Sequence, residues 1–517
     1  MENRHIAKTA FGMSGITFVS RLFGLVREWL RGYLLGTSHS SDAFTLAFLF
    51  PNLMRRLVGE GALMVAFIPV VSDYVHRDRE ELEDFVYGFF TVLFCSLIAI
   101  VGVTVAAAPV LKFFLPEFAR VPGKVDLTVS LTRLMFPYLF FISLAALSQG
   151  ILNAYKVFIP SATTPILLNI SIITAGFLLG GYMREPAYAL GIGVLAGGVL
   201  QFFFQVPFLS KRGIRYRFRL KVSSGVKRVF MLMVPGALGA GVYQVNALVS
   251  QFIAAFLEEG TVAALRFSLT LIELVLGIFI ISITTVILPV LSEKASKGDR
   301  EGMKKNLSFA LRLCVLITLP STIGLMVLRH EVITMLFRYG RFTENSVRMV
   351  ATALVYHALG LAGIGGTRVL VQMFFSMKDM KTPVYIAAGA MIVNLVLCYY
   401  LARPLRLGGI ALAGSISSYC QFIFLIIILQ RRVGRIVDRR TLLSSMKSLL
   451  SCALMGVVLY YLRGALGVMD GTRATQALLT VGMIGAGVIV FILVNLSLKN
   501  RDIIELIRVI AGKIRPE

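Results

Sequence analysis

Residues 9–35 read TAFGMSGITFVSRLFGLVREWLRGYLL. The run is long enough to cross a bilayer, which takes about 20 apolar residues, yet it carries Arg21, Arg27 and Glu28. A charged side chain at the centre of a membrane helix costs roughly 2.5–3.5 kcal/mol even on insertion scales. Arg21 and Glu28 share a helix face, and Gly24 on the same side lets a backbone or ligand approach. The same conflict recurs at Arg55, Arg56, Arg266 and Arg368, each inside an apolar stretch. Several arginines facing lipid are hard to accommodate, so they predict a shared, water-filled interior that attracts an anion. The plainer reading of Arg27 and Glu28 is snorkelling toward an interface, which does not excuse the deeper Arg21.

Composition agrees with a polytopic membrane protein. The 517 residues are 57% hydrophobic, with mean hydropathy +0.81; soluble chains average about 45–50% apolar. The formal net charge of +25 would suit a nucleic-acid binder, but the hydropathy argues against nucleic acid as a partner. Cys95, Cys314, Cys398, Cys420 and Cys452 lie in apolar segments without metal-ligand spacing and read as small buried hydrophobes. The N-terminal run shows no convincing cleavage site, so the first helix is expected to be retained.

Fourteen stretches are long enough to span, near 9–35, 42–72, 84–111, 128–153, 160–182, 187–210, 228–257, 264–292, 306–328, 348–375, 383–402, 408–430, 447–463 and 476–497. Pro51, Gly59, Pro137, Gly365 and Gly366 interrupt three of them, a pattern tolerated where neighbours or a cavity satisfy the backbone. With both termini cytoplasmic, the basic loops 211–228, 292–305 and 431–440 all fall on the inside, as the positive-inside rule requires. A weak repeat pairs Ile68-Pro69-Val70-Val71-Ser72-Asp73 with Leu288-Pro289-Val290-Leu291-Ser292-Glu293, and Asn153-Ala154-Tyr155-Lys156 with Phe375-Ser376-Met377-Lys378. Six helices separate the copies, which predicts two halves of like orientation with a boundary at 211–228.

The other charged positions each carry two readings. Arg56 and Glu60 are spaced for an i,i+4 pair that would serve structure alone; Arg55 lacks that partner and is the better ligand candidate. Asp42 is placed to cap the start of its helix. Arg266, Thr270 and Glu273 lie on one face of a later helix, and Glu273 with Arg368 would also serve as a buried ion pair between helices. Gln244 and Asn246 suit either a cation or a bond across helices. No GxxxxGK[ST] loop, HExxH or nucleophile-base pair is present in the sequence, so transport driven by an ion gradient or the membrane potential is expected, rather than catalysis or ATP hydrolysis.

Ser20-Arg21 through Arg27-Glu28, Ser41-Asp42-Ala43-Phe44, and Pro51-Asn52-Leu53-Met54-Arg55-Arg56 with Glu60-Gly61-Ala62 resemble the bacterial lipid II flippase family (MurJ, also called MviN). Arg133 through Tyr138, Leu336 through Thr343, and Ser376 through Asp379 with Lys381-Thr382-Pro383 extend the likeness to at least the twelfth span. The resemblance implies the fold of the multidrug/oligosaccharidyl-lipid/polysaccharide exporter superfamily. That fold is all-α: two six-helix lobes in a V (1–215 and 216–440), then two helices and a tail (441–517) that shape a lipid-tail groove. The implied substrate is lipid II, the undecaprenyl-pyrophosphate-linked peptidoglycan precursor, moved from the cytoplasmic to the periplasmic leaflet of the bacterial inner membrane. Membrane lipids and the cell-wall synthesis machinery are the implied partners. No cofactor is implied beyond a coupling ion, Na⁺ or Cl⁻. Arg21, Arg27, Asp42 and Arg55 match positions the family needs; Glu273 and Arg368 match charged positions of its second lobe, with Arg where Lys is common. Rival readings are a flippase for another undecaprenyl-linked oligosaccharide, a cation-coupled multidrug exporter, a cell-wall scaffold without transport, and a lipid II-processing enzyme.

The chain departs from the family at Thr270, where an arginine is usual. Arg266 lies four residues earlier, about 6 Å along the same face, and is expected to supply the displaced charge. Arg266→Ala alone should impair function, and adding Thr270→Arg should restore part of it; a silent Arg266→Ala would refute the substitution of one arginine for the other.

Overall fold

The computed structural model describes residues 2–56, 63–75, 78–116, 118–220, 223–466 and 472–510, with side chains described outside 2–18, 65, 119, 234–245, 247, 506 and 508–510. All of its regular structure among these residues is helical. The helices are α1 (Glu2–Leu35), α2 (His39–Met54), α3 (Leu63–Val75), α4 (Arg79–Ala107), α5 (Leu111–Phe114), α6 (Lys124–Met135), α7 (Tyr138–Ala154), α8 (Ile159–Leu179), α9 (Ala187–Ser210), α10 (Ser224–Ala254) and α11 (Thr261–Val275). They continue as α12 (Ile281–Ser296), α13 (Arg300–Val327), α14 (Arg329–Phe337), α15 (Glu344–Leu359), α16 (Leu361–Ser376), α17 (Lys381–Leu405), α18 (Leu407–Val433), α19 (Arg439–Leu466), α20 (Arg473–Ser497) and α21 (Arg501–Ile510). Ten helices among the described residues are long and apolar enough to cross a membrane, or eleven if the bent pair α15–α16 is one span.

The interruptions behave in different ways. Pro51 sits inside α2 without ending it; the helix gives way after Met54 to a π-type turn at Arg55–Arg56. Gly59 and Glu60 lie outside the described residues. Phe136-Pro137 separates α6 from α7, which still form one apolar span of 31 residues. Gly365 and Gly366 do not break their helix. The 44° bend falls at Gly360, and both glycines lie within α16, where an added Cβ would meet Cys314 Sγ at 2.9 Å and the Phe422 ring at 2.5 Å. Glycine is there for close helix packing. The short α14 and α21 were not expected from the sequence. Two cysteines also differ from expectation: Cys95 is exposed and Cys420 half-buried, while Cys314, Cys398 and Cys452 are buried. Cys95 lies in the apolar span α4, where a small apolar thiol is as acceptable toward lipid as toward protein.

The chain forms two compact units, Met1–Ala263 with Tyr339–Phe342, and Ala264–Arg338 with Thr343–Glu517. Among the described spans of the first, α6–α7 is the most enclosed. An aromatic stack of Tyr74, Phe67, Phe85 and Phe89 continues to Phe230 on α10, so α10 packs with this unit. Helices α8 and α9 touch closely: a Cβ on Gly193 would stand 2.6 Å from Ile172 Cα, and one on Gly197 3.2 Å from Leu168 Cα. Gly193 and Gly197 form the small-xxx-small pattern by which membrane helices approach. In the second unit most of the apolar stretch of α20 is unburied; residues such as Leu478, Val488 and Leu493 are exposed because the bilayer would cover them. Hydroxyls inside these helices bond to the carbonyl one turn back, as Thr91 to Tyr87 and Thr318 to Cys314, both at 2.8 Å, which satisfies them without water.

Lys156 and Lys378, paired by the sequence repeat, both adopt left-handed backbone, φ 58° and 61°. Each amide bonds three residues back at 2.9 Å, and the next amide bonds five residues back, the Schellman cap. Lys499 repeats the arrangement at φ 51°, so a cationic side chain ends α7, α16 and α20, where it suits the helix dipole. After Lys378, Asp379 accepts from the Lys381 and Thr382 amides and the Thr382 hydroxyl and pairs with Arg432. Partial burial alone would raise its carboxyl, but the Thr382 donors and Arg432 outweigh it and hold it down at about 2.

Gly193→Val should force α8 and α9 apart, costing about 1–3 kcal/mol as overpacking does, whereas Gly181→Ala meets nothing within 4 Å. Thermal unfolding of the two variants in detergent should show a lowered midpoint for the first alone.

Candidate functional site

A cavity of ≈250 Å³ lies within the first unit, between α1, α7, α8, α9 and the end of α2. Arg27 and Arg55 supply its charge. Gln149, Ser161, Thr164, Asn169 and Gln201 supply most of its neutral polar surface, and Ile142 and Leu168 part of its apolar wall. Arg27 donates to Asn169 Oδ1 at 3.0 Å and to Glu28 Oε1 at 2.8 Å. Glu28 is shared: Arg31, one turn further along α1, pairs with its other oxygen at 2.9 Å and donates to Thr45 Oγ1 on α2 at 2.8 Å. Glu28 and Arg31 are buried. Among the described residues, one carboxylate thus serves two guanidiniums, a set with one positive charge in excess. Arg55, on the π-type turn after α2, is held by Asn52 Oδ1 through Nε and Nη2 at 3.3 and 3.1 Å. The amides are fixed as well. Asn169 donates to the Ser20 carbonyl at 3.3 Å, and Gln201 to the Thr164 carbonyl at 2.8 Å.

This arrangement suits an oxyanion with several acceptor atoms. Guanidinium forks bind phosphate-like groups through parallel charge-assisted bonds, and apolar walls lower the local dielectric and strengthen the attraction. Arg27 and Arg55 each donate to a side-chain amide, Asn169 and Asn52, so a ligand would exchange those amide contacts for ionic ones.

The other expected residues are dispersed. Arg21 is half-buried on α1 and not in the cavity lining; its expected facing partner Glu28 is taken by Arg27 and Arg31. Arg56 is exposed, and Glu60, its expected partner, lies outside the described residues. Asp42 does not cap its own helix. It is fully buried, accepts from Lys124 Nζ at 2.8 Å, and receives the Gly260 and Ala263 amides at 2.7 and 2.8 Å, which caps the start of α11. In the second unit Arg266 is half-buried, without a hydrogen bond or ion pair from its side chain among the described residues, and Thr270 bonds to the Arg266 carbonyl at 3.0 Å. Glu273 and Arg368 do pair, at 3.0 and 3.3 Å, but the pair is open, with 58% and 31% of the side chains exposed, so burial does not explain it. The Gln244 side chain is outside the described set, and Asn246 is half-buried on α10.

Sequence reading missed Arg31, Lys124, Asn169 and Gln201. The signal was available: Asn169 and Gln201 are lone amides in long apolar runs, and such residues in a membrane helix need a partner. Lys124 stood in what looked like an extramembrane loop, where a lysine attracts no notice.

Comparison with known proteins places the chain. The family model described as "Lipid II flippase MurJ" matches residues 32–468. A probable lipid II flippase MurJ of Treponema pallidum is 36% identical over 438 residues, covering 82% of each chain, and one of Vibrio cholerae is 33% identical over 96% of this chain and 97% of its own. A solved structure of a lipid II flippase MurJ in an inward closed conformation superposes with TM-score 0.80 at 27% identity, over 96% of this chain and 100% of that one. An inward-facing multidrug resistance MATE family transporter, itself described as of the MOP superfamily, reaches 0.70 at 15% identity over 80% of this chain and 94% of its own, a likeness of fold alone. The cationic cavity in an all-helical membrane fold and the match over most of the chain lead to one conclusion: this protein belongs to the lipid II flippase MurJ family.

Proposed function

We propose that the chain moves lipid II from the cytoplasmic to the periplasmic leaflet, with the diphosphate seated between Arg27 and Arg55. The observation that carries this is the pairing of two arginines with fixed amides around one ≈250 Å³ cavity. That volume is below the roughly 300–1,000 Å³ of sites that enclose a drug-sized ligand, so the cavity as it stands takes the diphosphate and not the whole head group. The polyprenyl tail stays in lipid. An inside-negative potential favours outward movement of the anionic head group, and a coupling ion, Na⁺ or Cl⁻, resets the cycle. The chain is a transporter and not an enzyme, as its family is.

The reading includes the architecture implied by the family: fourteen membrane helices with both ends in the cytoplasm of a bacterial inner-membrane protein, two six-helix lobes in a V over 1–215 and 216–440, and a lipid-tail groove from 441–517. Arg266 and the open Glu273–Arg368 pair are assigned to the second lobe's share of substrate contact, and Arg21, Asp42, Arg56, Glu60 and Thr270 to supporting roles. Contact with the cell-wall synthesis machinery follows from a substrate that such machinery consumes. A multidrug exporter for cations is disfavoured, because such substrates call for carboxylates, none of which lines this cavity among the described residues, and the neighbouring Glu28 is already shared by two arginines.

In bacteria depleted of their own flippase, this protein should restore lipid II on the outer face, read by a periplasmic probe that labels or cleaves only exposed lipid II. Arg55→Ala and Arg27→Ala, inserted at equal levels, should each lower the signal by about 10- to 100-fold, the value of a charge-assisted bond of roughly 1.5–3 kcal/mol. Full signal from both variants would refute the seat.

A further inference from the structure

A second cavity of ≈310 Å³ lies where the start of α19 meets the end of α20 and the start of α21. Arg439, Arg440, Lys447, Lys499 and Arg501 line it, with Leu443 and the polar floor of Ser444, Asn500 and Asp502. The floor is built. Asn500 and Asp502 are each 1% exposed. Asn500 donates to the Ser444 carbonyl, Ser448 Oγ and Asn495 Oδ1 and accepts from Ser444 Oγ. Asp502 pairs with Arg312 at 3.0 Å and Arg440 at 3.2 Å, and Glu505 takes Arg440 at 2.8 Å. The Lys447 ammonium donates to the Lys499 carbonyl at 3.2 Å. These bonds fix three helices around the cavity. Asp502 meets both arginines through Oδ1, while its Oδ2 is buried without a hydrogen-bond partner; Arg439, Arg501 and the Lys499 ammonium have no hydrogen bond or ion pair among the described residues, and all three are exposed.

A rigid pocket with surplus positive charge calls for an anion. Its surroundings say which kind. Leu443 in the lining is 46% exposed, and Met446, Leu450 and Leu454 follow on the same face of α19 at 59%, 51% and 45%. A soluble phosphate has no use for that strip, but an acyl chain does. On α21 the apolar Ile503 is buried and Ile507 is 37% exposed, between charged neighbours, as in a helix lying at a membrane interface. With this end of the helices in the cytoplasm, for which the inference rests on the proposed architecture, the pocket is of the basic kind between helix ends that binds anionic lipid head groups.

We propose that this pocket seats the phosphate of an anionic phospholipid on Arg439, Lys499 and Arg501, with its acyl chains along the Leu443–Leu454 face of α19. The bound lipid ties α21 to the α19–α20 pair. The seat is separate from the transport cavity, and its test uses no transported substrate.

Native mass spectrometry of the full chain, titrated with phosphatidylglycerol and with phosphatidylcholine of the same chains, tests this. The wild type should retain phosphatidylglycerol in preference. Arg439→Gln/Arg501→Gln should cut that preference by about 10- to 30-fold, since each basic residue near a lipid surface is worth about 1 kcal/mol. Lys211→Gln, an exposed cation on the first unit, should leave it intact. Both substituted arginines are exposed and unbonded, so folding should survive; the single variants, each with a smaller loss, guard against the case in which the double variant does not fold. Equal retention of the two lipids by the wild type, or an unchanged preference in the folded variants, would overturn the proposal. Displacement of phosphatidylglycerol by millimolar inorganic phosphate would overturn the lipid as occupant in favour of a free anion.

Discussion

A guanidinium within an apolar helix must be compensated, and the first unit is arranged around that constraint. Arg27 and Arg31 share Glu28 at 2.8 and 2.9 Å, and Thr45 and Asn169 complete the set from two other helices. Removing one partner of such a buried pair typically costs about 3–5 kcal/mol, because a charge is left without compensation. α1, α2 and α8 are therefore tied together by the same bonds that leave a net cation at the cavity. Among the described residues, the cluster that ties these helices together falls one negative charge short of neutrality.

The second unit treats its charges in another way. Its deep carboxylates, Asp502 and Glu331, anchor short helices: Asp502 holds α21 to Arg312 and Arg440, and Glu331 on α14 pairs with Arg463 of α19 at 2.5 Å. Glu273 and Arg368 meet in the open, and Arg266 is left unbonded among the described residues. Charges held this loosely can change partners at little cost, since an exposed pair is worth only about 0–1 kcal/mol. That is the property a site needs if an anion is to enter and leave it.

Much of this was legible in the sequence. Hydropathy located the long helices, because lipid selects composition directly, and the arginines that could not face lipid marked α1 and the end of α2. Helix ends and breaks were less legible: Pro51 continues its helix, and the bend at Gly360 replaces the one expected at Gly365-Gly366, whose lack of side chains serves packing against Cys314 and Phe422. Partner choice was the least legible. Seven-residue spacing joined Arg21 to Glu28, but neighbours at positions 27 and 31 took the carboxylate, and Asp42 capped a helix some 220 residues away in sequence, not its own. Spacing along one helix shows which residues share a face, and only the packing of other helices decides what that face meets.

The account turns on the diphosphate seat of Arg27 and Arg55, and equilibrium binding measures it most directly. Purified protein should bind lipid II more tightly than an otherwise identical lipid carrying a single phosphate. The Arg27→Ala/Arg55→Ala variant should bind the two alike. A double variant that keeps the wild-type discrimination between diphosphate and monophosphate would contradict the account and move recognition elsewhere in the chain.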